Sequence, residues 1–129
     1  MSEAEFPDAE LVAMDLLDDL GWCCTALPDP EQWPSLAPII AVNRTGGGVD
    51  ASGITDRALI AVVVVDSTRP RAWTTARAVR KRILNAGCTE VNGVLIDTTD
   101  EETGTAQDPN LASDNRFVEL TFWMSFRAQ

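Results

Sequence analysis

Apolar residues at Ala9, Val12, Ala13, Leu16, Leu17 and Leu20 recur at helical spacing and predict a helix from about Asp8 to Leu20 with one inward stripe. Asp8 is placed to cap it and Gly21 to stop it. Trp22 to Leu27 has the length of a short strand. Pro28, Pro30, Pro34 and Pro38 then interrupt the chain around Trp33, a pattern expected of an ordered loop that hugs the body. Ile39 to Arg44 is a second strand candidate. Thr45 to Gly53, with Gly46, Gly47 and Gly48, reads as a flexible loop, the mobile tip of a hairpin. Ala58 to Val65 is the strongest strand; it is apolar on both faces and belongs in the centre of a sheet.

A second helix is expected to follow, with Pro70 in its first turn, Ala72, Trp73, Ala76, Val79 and Ile83 facing inward, and an end at Asn85-Ala86-Gly87. Arg77, Lys81 and Arg82 fall toward its outside. Val91 to Asp97 is a strand candidate, and Thr98 to Asn115 reads as a long polar, acidic loop, a form usually tied to function or to a partner. Phe117 to Arg127 alternates strictly. Val118, Leu120, Phe122, Met124 and Phe126 lie on the core face, and Trp123 on the mixed face is a candidate interface anchor. Helix, strands, helix, strands, without regular β-α-β alternation, predicts an α+β fold: a mainly antiparallel, mixed sheet with two helices packed on one face. The 129 residues are expected to form a single domain, 1–129, able to fold without a disulfide or metal.

Composition removes several functions. The absence of His excludes Ser-His-Asp and Cys-His nucleophile systems and HExxH zinc sites. A net charge of −10 argues against general nucleic-acid binding and against anionic membranes. The acidic first residues, Met1 to Glu5, lack the pattern of a signal peptide, so a cytosolic protein is expected. Cys23, Cys24 and Cys88 are odd in number, and a bridge between the adjacent pair would be strained; reduced, partly buried thiols are expected.

The charges are not mixed. Nine acids precede Arg44, the first basic residue, whereas Arg69, Arg71, Arg77, Arg80, Lys81 and Arg82 form a block with no acid in it. From Asp97 to Asp114 the chain is acidic again. Such blocks mark either solvated faces or a surface that meets a partner or another copy. Asp97, Asp100, Glu101 and Glu102 follow a strand, where a phosphoryl-transfer enzyme places metal ligands. The only lysine, Lys81, lies on a helix, no nucleophile sits beside a base, and the glycines lack the spacing of a nucleotide site. The chain is therefore expected to be no enzyme, to need no cofactor, and to work by binding or assembly.

Phe6-Pro7-Asp8-Ala9-Glu10 before the first helix, Leu27-Pro28, the Pro38-Ile39-Ile40-Ala41-Val42-Asn43-Arg44 strand with its Gly-Gly loop, Arg71-Ala72-Trp73, Asp114-Asn115-Arg116-Phe117 and Ser125-Phe126-Arg127 occur in an order that resembles the tail-terminator proteins of long, non-contractile-tailed phages. Related proteins of actinobacterial phages are labelled minor tail or head-to-tail connector proteins. The resemblance spans nearly the whole chain and rests on element order and a few dipeptides. It implies an α/β-sandwich subunit in a hexameric ring that caps the tail tube, stops polymerisation and meets the head connector at the tail–neck junction of the virion, after assembly in the host cytoplasm. The implied partners are further copies of the chain, the tail tube protein and the connector or stopper protein; genomic DNA would pass through unbound, and no membrane is involved. In that setting Arg77, Lys81 and Arg82 would meet an acidic block of the neighbour, either the first helix or Asp100, Glu101 and Glu102. The Gly46, Gly47 and Gly48 loop and the long acidic loop would order on the tube or line the channel. Two alternatives remain open at this point: a head-completion or stopper ring, and an acidic inhibitor that mimics DNA, the latter opposed by the basic block.

Overall fold

The computed structural model describes residues 5–106 and 116–129. The first helix, α1 (Ala9–Leu17), starts where Asp8 accepts hydrogen bonds from the amides of Glu10 and Leu11 at 3.0 and 3.3 Å. Its inward stripe buries Ala9, Val12, Ala13 and Leu17. The strand β1 (Trp22–Cys24) is shorter than expected, and the proline-rich stretch forms a 3-10 turn (Pro30–Gln32) and the short helix α2 (Trp33–Leu36).

Next come β2 (Ile39–Val49), β3 (Thr55–Val65), α3 (Arg69–Leu84), a small hairpin of β4 (Thr89–Val91) and β5 (Val94–Ile96), β6 (Thr98–Ala106) and β7 (Phe117–Arg127). The main sheet has the order β1-β2-β3-β7-β6, parallel at β1·β2 and antiparallel elsewhere. This is the expected α+β architecture, with β3 in the centre. The helices α1 and α3 cover one face. Against them lie Ile40, Ala58, Ile60, Val62, Leu120 and Phe122, all at most 1% exposed. Burial of apolar surface on this scale is the dominant stabilising term, at roughly 25 cal/mol per Å².

Two expectations are corrected. Gly46, Gly47 and Gly48 are not in a loop. They extend β2 alongside Leu59, Ala58 and Arg57 of β3, after a bulge between Arg44 and Gly46, and the turn itself is confined to residues 50–54. Gly47 has φ +87°, and a Cβ there would stand 1.9 Å from the Arg57 carbonyl oxygen, so glycine is needed for the close approach of the two strands. The start of the acidic stretch is also a strand. β6 pairs with β7 and forms a charged sheet edge, a position where acids discourage further pairing. The remainder of that stretch, with Asp108 and Asp114, lies outside the described residues, as does the acidic start 1–4.

The second face of the sheet is only partly covered. At one end the proline-rich segment closes over Ile39 and Val65 with Trp33, whose indole N–H donates to the Pro28 carbonyl at 2.9 Å. Beyond it Leu59, Ala61, Thr121 and Trp123 remain half-buried, with no helix above them among the described residues.

Candidate functional site

Three groups of charged and aromatic residues stand out from this scaffold: the outer face of α3, the uncovered sheet face and the β2–β3 hairpin. On α3 the stripe Ala72, Ala76, Val79 and Ile83 is buried, so Arg77 and Lys81 project away from the sheet, while Arg80 sits on the flank that faces β6. Thr68 caps the helix by accepting from the Arg71 amide, and Lys81 and Arg82 in the last turn favour the negative end of its dipole.

The basic block divides into engaged and free cations. Arg82 donates to the Leu16 carbonyl at 2.9 Å and to both carboxylate oxygens of Asp19 at 2.6 and 3.1 Å. Asp19, unfavourable at the end of α1 by itself, thus finds a cation within the chain. The guanidinium beside Asp19 holds its carboxyl below the usual range. Arg80 pairs with Glu101 of β6. Arg77 reaches only the Thr74 hydroxyl, at 3.4 Å. Among the described residues no carboxylate pairs with Arg77 or Lys81. A shallow groove of about 320 Å³ runs beside them, lined by Leu20, Ala78, Lys81, Arg82 and Asn85.

On the sheet's open face Trp123 is held from two sides. The Arg57 guanidinium stacks 4.0 Å from its ring centroid, and its indole N–H donates to Glu102. Asp100 stands opposite Trp123 in the β6–β7 register, and Glu119 lies further along β7 on the same face. Both carboxylates are exposed. At the proline-covered end, Arg116 stacks on Trp33 at 4.9 Å. Asp100, Glu102, Glu119 and Trp123 therefore share one face. Glu101 points the other way, toward α3, because side chains alternate along a strand. Gly46, Gly47 and Gly48 belong to the hairpin, where they pair with Leu59, Ala58 and Arg57.

The hairpin carries a pair that sequence reasoning missed. Arg44 binds Asp56 through two hydrogen bonds, at 2.8 and 2.7 Å, and donates to the Gly46 carbonyl at 3.2 Å across the bulge. The Arg44 amide donates to Glu10 of α1 at 2.8 Å. Asp56 is 5% exposed, and the guanidinium keeps its carboxyl below the usual range despite burial. The polar Asp56 at the start of an otherwise apolar strand was the available signal. Val49 and Ile54 beyond this pair are exposed at the hairpin end.

Nothing in this arrangement resembles a catalytic centre. Among the described residues no three acidic or thiol groups converge on a cation position. No described helix is long and apolar enough to cross a membrane. The three cysteines are free thiols.

Comparison with known proteins agrees with a structural role. Among curated proteins none is similar enough to match. A chain from the virion of a native gene transfer agent particle has the same fold, with a TM-score of 0.52 at 10% identity, over 93% of this chain and 86% of that one. The family model described as "phage tail termination protein" matches residues 5–129. The chain belongs to the phage tail termination protein family, as a non-enzymatic structural component of the virion tail.

Proposed function

We propose that the chain forms a hexameric ring that caps the tail tube, ends tube polymerisation and presents its other side to the head connector. The observation that carries this reading is the tail-termination family match over 5–129. The separation of charge supports it: α3 turns Arg77 and Lys81, which pair with no carboxylate among the described residues, outward on one side, and the open sheet face carries carboxylates on the other. A closed ring of identical subunits joins unlike patches in that way. With a net charge of −10 on each copy, the ring lets genomic DNA pass without binding it specifically.

Electron microscopy of the head-proximal end of the tail tests the reading. The expected result is a single hexameric layer of this chain between tube and connector. Copies distributed along the tube, or a location inside the head side of the connector, would contradict it.

A further inference from the structure

The two oppositely charged faces lie on opposite sides of the sheet. The outer surface of α3 points away from it, with Arg77 and Lys81 exposed and unpaired with any described carboxylate. No acid occurs between Asp66 and Glu90 to soften that surface. The open sheet face carries Asp100, Glu102 and Glu119 around half-buried Leu59, Ala61 and Thr121; of its cations, Arg57 is stacked on Trp123 and Arg127 pairs with Asp97 at 3.4 Å, which leaves Asp100 and Glu119 without a cation among the described residues. Two open sheet faces would oppose like charges, and so would two α3 surfaces. Each face therefore fits the other and not itself, which makes the contact head-to-tail.

We propose that the outer face of α3 in one copy, through Arg77 and Lys81, docks on the uncovered sheet face of the next copy, around Asp100, Glu119 and Trp123. This rests on the ring reading above and assigns its subunit contact. The aliphatic stems of the arginine and lysine side chains, with Ala78 between them, cover Leu59, Ala61 and Thr121 while their charged ends reach Asp100 and Glu119. The groove beside Lys81 gives a carboxylate of the neighbour a place to enter. Arg82 and Glu101 take no part, because Asp19 and Arg80 of their own chain occupy them.

Charge reversal in alternation tests the assignment. One chain carries R77E/K81E and the other D100K/E119K; all four residues are exposed. In a head-to-tail ring each variant alone places like charges at every contact, whereas strict alternation of the two restores opposite charges throughout. The expected result is incorporation into virions reduced at least about tenfold for each variant alone, and returned to the wild-type level when both are supplied together. Circular dichroism and thermal melting confirm that both variants fold. Normal incorporation of either variant alone overturns the assignment. So does loss of D100K/E119K alone with R77E/K81E unaffected, which would seat the tube or connector protein on the sheet face. Failure of the folded pair to complement each other overturns it as well. Quantitative mass spectrometry of wild-type virions separates the two levels: a single copy per particle would contradict the ring itself, whereas multiple copies with failed complementation would contradict only this contact.

Discussion

Arg82 of α3 holds Asp19 at the end of α1 through two hydrogen bonds and, with the same guanidinium, closes off the Leu16 carbonyl. One side chain thus supplies the positive charge that the C-terminal end of α1 lacks in its own sequence. It also divides the basic block: Arg82 belongs to the fold, and its neighbour Lys81 does not. Replacement R82A should lower the urea midpoint of unfolding, and K81A should leave it unchanged. Equal midpoints for the two variants would contradict this division of roles.

The Arg44–Asp56 pair ties β2 to β3, and the Arg44 amide ties β2 to Glu10 of α1. Asp56→Asn leaves the guanidinium half-satisfied next to the core and should cost about 2–3 kcal/mol in urea unfolding at pH 7. The pH dependence follows from the depressed Asp56 carboxyl. Its stabilisation is complete above the unfolded Asp value of about 3.9 and is lost as pH falls through the lower folded value. The acid side of the stability profile should therefore be flatter in D56N than in the wild type. Parallel profiles would show that the pair contributes nothing to acid sensitivity.

Gly47 and Gly48 are adjacent, yet only one must be glycine. Gly47→Ala forces a Cβ onto the Arg57 carbonyl at a positive φ and should destabilise by about 1–3 kcal/mol. Gly48→Ala meets nothing within 4 Å and should be neutral in the same measurement. The reverse order of effects would mean that the strands pair differently at the hairpin.

The thiols should react at different rates. Burial, reinforced by nearby Asp18, pushes Cys23 up to about 11, and burial raises Cys24 as well. Cys88 is exposed. A disulfide reagent at pH 8 should label Cys88 rapidly and Cys23 slowly, and the Cys23 rate should climb as pH approaches 11, since the thiolate is the reacting species. Fast labelling of Cys23 at pH 8 would contradict its burial against α1.

Periodicity made most of the fold legible. The α1 stripe, the apolar run of β3 and the strict alternation of β7 announce themselves, because each buries one continuous face. The misreadings have local physical causes. β2 runs on through Gly46, Gly47 and Gly48 because the Arg44 bulge and the Arg44–Asp56 pair hold the glycines against β3, a long-range effect that glycine content conceals. β6 hides because Thr98–Ala106 is polar and charged; its strand form comes from pairing with β7 rather than from its own propensity. The strand expected over Val91 to Asp97 is instead the turn and second strand of the β4–β5 hairpin, since Asn92-Gly93, both at positive φ, is the usual two-residue hairpin turn. At the candidate site the block asymmetry was visible in the sequence. Which members were spent inside the subunit was not, since Asp19 and Arg82, like Arg80 and Glu101, meet only through tertiary packing.

Trp123 tests whether the open sheet face is built for contact. Trp123→Phe keeps the ring under Arg57 and loses only the hydrogen bond to Glu102; Trp123→Ala loses both. Because the residue is half-buried, both variants should fold, and incorporation into virions should fall strongly for W123A and little for W123F. Equal incorporation of W123A and wild type would remove Trp123 from the interface.

The central claim, that this chain ends tail growth, is tested most directly by the length of tails made without it. Particles assembled in the absence of the chain and measured by electron microscopy should carry tube polymerised beyond the wild-type length. Tails of normal length accompanied by heads that have lost their DNA would contradict termination and place the chain among the stopper proteins of the neck.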